Sequence, residues 1–180
     1  MLKLVKASQK YLPAVLKVLD EYREDDRPYG RGSVVSLIDA ADRNAAHLWL
    51  EQKQNEDQGI GLKPGYVAST YYWLMDGDDY IGSFTLRHNL TPNLMQIGGN
   101  IGYIILPSKR RQGYAFSGLI LCLKEAKKLG LDRVLITCNA KNTASFAVIS
   151  KAMRHFGGEM LPDITIDGEC EHRVWVNTLA

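Results

Sequence analysis

Apolar and polar residues alternate from Leu2 to Lys6, the period of a half-buried strand. The period then changes. Leu12, Val15, Leu16, Val18, Leu19 and Tyr22 recur at close to helical spacing, with Ser8 placed to cap the segment and Pro13 within its first turn. The charged stretch from Arg23 to Gly32 ends this helix. A second helical region is expected from about Ser36, interrupted near Asn44, with Ala45, Leu48, Trp49 and Gln52 on its later part. Gln54 to Gly65 is polar and glycine-containing, hence a predicted loop. From there the chain turns aromatic and β-branched. Tyr66–Met75 and Tyr80–His88 read as two strands of a hairpin around Asp76-Gly77-Asp78-Asp79. Asn89 to Gly98 reads as a loop, and a third antiparallel strand follows from about Gly99 to Leu106. Pro107 breaks that strand.

Beyond the break, Ala115, Leu119, Leu123, Ala126 and Leu129 mark one face of a helix opened by Gly113, with Lys124, Glu125, Lys127 and Lys128 mostly opposite. Gly130 stops it at the position after the C-cap. Arg133–Cys138 is a short apolar run, predicted to be a buried strand. Asn142 begins a further helix through about Phe156, ended by Gly157-Gly158, and two strands, about Glu159–Ile166 and Cys170–Val176, flank an Asp167-Gly168 turn. Strand, helix and strand between Tyr103 and Cys138 imply a right-handed crossover into a parallel neighbour. The fold class is mixed α/β: about seven strands, mostly antiparallel with a central parallel pair, and about four helices, in a single domain over 1–180.

Composition adds bounds rather than direction. Hydrophobic residues make up 46% of the 180 and charged residues 23%, ordinary for a soluble domain. The formal net charge of +2 is too small to argue for nucleic acid, and no apolar run is long enough to span a membrane. Cys122, Cys138 and Cys170 are odd in number and widely spaced, which points away from a disulfide framework and toward a reducing, cytoplasmic setting. The segment after Met1 has no apolar core of the kind a signal peptide needs. Cys170-Glu171-His172 has no partner pair at zinc spacing, so no metal is expected. Tyr71, Tyr72 and Trp73 could line a pocket, but alternate strand residues face opposite sides and most such aromatics are core.

The chemistry concentrates between Ile101 and Ala115. An apolar strand, a turn carrying Lys109, Arg110 and Arg111, and a helix opened at Gly113 bring unpaired backbone N–H groups and the positive end of a helix dipole to one place, an anion site. The turn is neither GxxxxGK[ST] nor a dinucleotide fingerprint, since Gly98-Gly99-Asn100-Ile101-Gly102 precedes the strand rather than following it. Arg110-Arg111-Gln112-Gly113-Tyr114-Ala115 resembles the R/Q-x-x-G-x-G/A signature of acetyl-CoA binding in the GNAT N-acetyltransferase superfamily, and Asn142-Thr-Ala-Ser145 resembles that family's Asn-x-x-Ser helix start. The motif-level likeness covers about Gly99 to Gly158, and the N-terminal third agrees in element order alone.

The resemblance implies that acetyl-CoA is a co-substrate, that the central parallel strands splay, and that an amine acceptor binds beside them. It further implies that backbone amides of Arg111, Gln112, Gly113, Tyr114, Ala115 and Phe116 hold the pyrophosphate with charge from Arg110 and Arg111, and that Ile104, Ile105 and Leu106 bond the pantetheine arm. Asn139, Asn142 and Ser145 would line the other side of that arm, with helix capping an equal role for the last two. Partners are then the acceptor amine, without nucleic acid or membrane, in a monomer or homodimer. The catalytic groups are less legible. Many family members are similar in carrying a tyrosine four residues after the motif serine; here that position is Ile149, and the strand before the turn has no carboxylate. His88, Tyr103 and Tyr114 are the candidate proton carriers, and an acyl-CoA-binding module without turnover is the alternative to an enzyme.

Overall fold

In the computed structural model, which describes residues 1–25 and 43–179, β1 (Leu2–Lys6) is an outer strand of a four-stranded antiparallel sheet. Its neighbours in order are β2 (Ser69–Asp76), β3 (Asp79–Arg87) and β4 (Ile101–Ile105). The hairpin turns at Gly77-Asp78, so Asp76 pairs with Asp79. β2 is apolar almost without alternation because both its faces are covered. Tyr71, Trp73 and Met75 join Tyr80 in a core formed with α1 (Leu12–Leu16), α2 (Asp20–Arg23) and α3 (Arg43–Asp57). Tyr72 and Leu74 point the other way, to a second core with Phe84, Leu86 and α5 (Tyr114–Lys128). Trp49 of α3 lies parallel to Trp73 at 6.4 Å and edge-on to Tyr71 at 5.0 Å, which locks the helix against the sheet.

A three-stranded sheet follows, in the order β5 (Arg133–Asn139), β7 (Glu169–Asn177), β6 (Gly158–Ile166), with α6 (Thr143–Phe156) packed beside α5. All its pairings are antiparallel. The predicted parallel pair is therefore not a hydrogen-bonded pair: β4 and β5 lie in separate sheets. They are stitched where β4 begins. Asn100 donates its backbone N–H to the Leu135 carbonyl at 2.6 Å and accepts from the Leu135 N–H on its side-chain oxygen at 2.8 Å. Gly99, at φ 56, permits this crossing, because a Cβ there would stand 2.3 Å from the Leu135 oxygen. Past Asn100 no ladder joins the two strands, and a gap opens between them.

Other boundaries move for local reasons. The first predicted helix divides into α1 and α2, and α1 is preceded by Tyr11 without a side-chain cap, so Ser8 does not serve. α3 continues to Asp57, through Gln54 to Glu56 that read as loop. Its polar last turn is fastened by Asp57, whose carboxylate accepts from Lys6 at 2.7 Å and from the Thr70 hydroxyl. A five-residue helix, α4 (Pro92–Gln96), occupies part of the predicted loop, with Thr91 accepting from the Leu94 N–H at 3.2 Å as its cap. Leu129, assigned to the buried face of α5, is the C-cap and is exposed; Gly118 and Cys122 complete that face instead. The predicted interruption near Asn44 and the helix start near Ser36 fall at or outside the edge of the described residues. Among the described residues no helix is long and apolar enough to cross a membrane.

Candidate active site

The gap between β4 and β5 opens into a cleft of about 1650 Å³. One end is the turn after β4. A 3₁₀ turn over Pro107–Lys109 leads into Arg111 at φ 60 and Gly113 at φ 85, two left-handed residues that curl the backbone around a concave face. The α5 ladder begins with Ser117 donating to the Gly113 carbonyl at 3.1 Å. The N–H groups of Tyr114, Ala115 and Phe116 therefore have no partner within the helix, and all three residues line the cleft. Nothing lies within 4 Å of where a Gly113 Cβ would sit, so the space over the turn is open. Unpaired amides, a helix N-terminus and room for a polyanion fit a pyrophosphate. The two arginines differ. Arg110 is turned back onto the Asp25 carboxylate and donates from Nε to the Ile105 carbonyl at 3.1 Å, while Arg111 is exposed at the cleft. Gln112 does not line the cleft; its side chain donates to the Ser108 carbonyl at 3.0 Å.

β4 forms the next wall. Arg87 donates to the Asn100 carbonyl and Leu106 to the Ile81 carbonyl, both at 2.9 Å or less, which sets the phase of the β3–β4 ladder. In antiparallel pairing these bonds recur at every second residue. Gly102 and Ile104 thus spend their backbone groups on β3, as Leu106 does its N–H, while the backbone groups of Tyr103 and the N–H of Ile105 point to the open edge and the Ile105 carbonyl accepts from Arg110. Leu106, predicted to touch the cofactor, is buried in the core with α1–α3.

Across the gap, Tyr103 reaches α6. Its hydroxyl lies 2.9 Å from the Ser145 hydroxyl, and its ring stacks on Phe84 at 5.4 Å. Burial pushes the phenol up to about 12, against the pull of the Ser145 hydrogen bond, so it keeps its proton at neutral pH. Asn142 caps α6 by accepting from the Ser145 N–H at 3.1 Å, and both residues line the cleft. Asn139 does not. Its amide donates to Glu169 and Glu171, and its oxygen accepts from the Lys141 N–H, which shapes the loop before α6. Ile149 is fully buried in the core with α5, so the position of the absent tyrosine faces away from the cleft. Cys138 is buried beside Ser145, and burial raises its thiol to about 11, which leaves it protonated and poorly nucleophilic.

His88 stands elsewhere. Its Nε2 is 2.8 Å from the Thr70 hydroxyl and 3.7 Å from Asp57, in a cluster that docks α3 on the sheet, and it does not line the cleft. Burial lowers its pKa, opposed by the Asp57 charge. Tyr114 lines the cleft, with its hydroxyl 3.4 Å from Asp76. Of the three aromatics that could line a pocket, Tyr71 does and Tyr72 and Trp73 are core. The rest of the far half was not visible as a site in the sequence, because it is assembled from distant segments: the outer face of α3, the 60–67 loop, and Ser83 and Thr85 on the sheet. Tyr71 donates to the Ser83 hydroxyl at 2.9 Å, and Lys53 pairs with Glu56 at 2.8 Å above them. Among the described residues no cluster of three or more His, Cys, Asp or Glu could hold a metal ion.

Residues 4–152 match the model of the acetyltransferase (GNAT) domain family. The chain belongs to that family. It is an acetyltransferase by descent, and its architecture agrees. RimL, a ribosomal alpha-N-protein acetyltransferase solved in complex with coenzyme A, superposes with a TM-score of 0.64 at 16% identity, over 99% of this chain and 94% of that one. A spermidine N-acetyltransferase SpeG chimera from Vibrio cholerae and hSSAT gives 0.61 at 14% identity, over 97% and 96%. An acetyltransferase that modifies an N-terminal serine of a ribosomal protein in Salmonella typhimurium gives 0.60 at 16%, over 99% and 95%. No curated protein matches the chain by sequence. At these identities the likeness establishes the fold, and the cleft's own residues carry the chemistry.

Proposed function

We propose that this acetyltransferase moves an acetyl group from acetyl-CoA to a primary amine by direct transfer, with both substrates held in the one cleft. The observation that carries this reading is the continuity from the open amides of Tyr114, Ala115 and Phe116, along the free edge of β4, to the Tyr103–Ser145 pair. The first grips pyrophosphate. The second offers the Tyr103 backbone groups and the Ile105 N–H to pantetheine, as one strand offers them to another. An N–H on that edge also stands ready to polarise the thioester carbonyl, an interaction commonly worth a few kcal/mol in the transition state.

The amine nitrogen adds to the thioester carbon, the C–S bond breaks as the tetrahedral intermediate collapses, and the nitrogen loses its proton to water. Ser145, in the cleft wall, gives its hydroxyl proton to the departing thiolate, is resupplied by Tyr103 across 2.9 Å, and the phenolate then regains a proton from water before the next turnover. A phenol raised to about 12 is still protonated when a primary amine becomes neutral, so the pair is loaded up to that pH. This assigns to a β4–α6 pair the role that the buried Ile149 has no group to perform. The reaction is tested by following thiol release from acetyl-CoA against peptides, amino acids, polyamines and aminoglycosides. Acceptor-dependent release is expected. Tight acetyl-CoA binding with no release from any acceptor would instead identify a binding module.

A further inference from the structure

The far half of the cleft has a character that selects among amines. Eight large apolar residues are exposed in the described chain, and three of them, Leu48 at 66%, Ile60 at 54% and Tyr66 at 66%, line this one cleft. Leu48 lies on α3, and Ile60 and Tyr66 in the loop that follows, so two separate segments bring apolar side chains to the same rim. Scattered apolar residues are normal on a surface; a group around a functional mouth marks contact with something apolar.

Charge points the same way. Apart from the phosphate turn, the charged residues lining the cleft are Glu51, Glu56, Lys53, Lys63 and Arg87, two acidic against three basic. Glu56 is already occupied, by Lys53 at 2.8 Å and Gln52 at 2.8 Å, and Arg87 is committed to the carbonyls of Gly98 and Gly99. Among the described residues that leaves Glu51 as the carboxylate open to a cation. A polyamine, with several ammonium groups and only methylene between them, needs more than one. The floor offers the opposite kind of partner: the half-buried hydroxyls of Ser69 and Thr85, suited to the amides of a peptide backbone.

We propose, resting on the acetyltransferase reading above, that the acceptor is the free α-amine of a polypeptide whose following residues are apolar and carry no cluster of positive charge. The amine enters past the rim, the first backbone amides lie over the hydroxyl floor, and the next side chains pack on Leu48, Ile60 and Tyr66.

Three acceptors decide this with the full-length protein: a hexapeptide with a free α-amine and apolar residues at its second to fourth positions, the same peptide with lysines there, and spermidine. The apolar peptide is expected to exceed both others in kcat/KM by about tenfold or more. Turnover of spermidine or of the lysine peptide at equal or higher kcat/KM overturns the proposal while leaving the acetyltransferase reading intact. Thiol release with no amine at all removes both. The surface is tested with Leu48→Glu combined with Tyr66→Glu, expected to raise the peptide's KM about tenfold with the acetyl-CoA Kd unchanged, while Leu129→Glu, at an exposed apolar residue outside the cleft, leaves KM unaltered. An unchanged peptide KM in the double variant refutes the docking surface.

Discussion

Tyr103 shows how one side chain can serve the sheet and the cleft together. Its ring is packed on Phe84, which holds the phenol in place, and its hydroxyl meets Ser145 on a different element. Tyr103→Phe keeps the stacking and removes the proton, so kcat is expected to fall about a hundredfold, the lower end for a positioned acid, with acetyl-CoA affinity maintained. The pH profile gives a second reading. Burial is the main cause of the raised phenol pKa, so the neutral form that can donate persists above the ordinary value of 10.0 and is lost only as pH rises through about 12. The wild-type kcat should therefore show no descending limb near pH 10.0; a fall centred there would assign the proton to an unburied group. Gly113 is the other residue on which the cleft turns. At φ 85 and facing open space, it admits a side chain without a clash in the free protein. Gly113→Val is expected to cost about 1–2 kcal/mol of backbone strain, and its larger effect is to block the approach of phosphate oxygens to the amides. Isothermal titration with CoA should show the loss, and an undiminished affinity would place the pyrophosphate elsewhere.

At the scale of elements, α3 is the part whose position must be held, because its outer face forms one wall of the cleft. Thr70, buried on β2, is the junction. Its hydroxyl meets the Asp57 carboxylate at the end of α3 and the His88 ring on β3. Burial of Asp57 works against its charge, but hydrogen bonds from Lys6 and Thr70 outweigh it, so its pKa is lowered below 3.8. The stabilisation this represents is present above pH 3.8 and lost as pH falls through the folded value. Thr70→Val keeps the shape and removes the hydroxyl, leaving Asp57 and His88 short of a partner. A loss of about 1–3 kcal/mol is expected, read by urea denaturation, together with a raised KM for the acceptor. An unchanged unfolding midpoint would show that α3 is held by its apolar face, Ala46, Trp49 and Leu50, without help from this hydroxyl. This junction also explains what the sequence hid. The last turn of α3, Gln54 to Asp57, has no apolar period and so read as loop; it is helical because polar side chains fasten it to residues far along the chain. α4 was invisible for a related reason, since five residues with none buried leave no periodic trace. By contrast Gly113, Asn142 and the apolar stripe of α5 could be read directly, because caps and periodicity are local. The phosphate end of the cleft was legible for that reason. The acceptor end, built from three segments joined only by tertiary packing, was not.

At the scale of the molecule, everything depends on two sheets that meet at one point and part. A continuous sheet would have closed the gap between β4 and β5; two unconnected sheets would have left its width undefined. Asn100 supplies the intermediate condition. It is 3% exposed, bonds Leu135 through both backbone and side chain, and donates its side-chain amide to the Arg87 carbonyl at 3.1 Å, so one residue ties β3, β4 and β5 together. Asn100→Ala preserves the backbone bond to Leu135 and deletes the two side-chain ones, leaving the Leu135 N–H and the Arg87 carbonyl unpaired in a buried joint. A cost of about 2–4 kcal/mol follows from two such losses, equivalent to a fall in Tm of about 5–15 °C for a chain of this size. The distinctive consequence lies in linkage. A ligand that bridges both walls of the gap contributes stability set by its affinity for the correctly spaced pair. If Asn100 sets that spacing, saturating CoA should raise the Tm of the variant by less than it raises that of the wild type, whereas Thr70→Val, which leaves Asn100 and its bonds to Leu135 and Arg87 in place, should leave the CoA-induced shift intact. Equal shifts in all three proteins would mean that α5 and α6, packed against each other, fix the width of the cleft without help from the sheets.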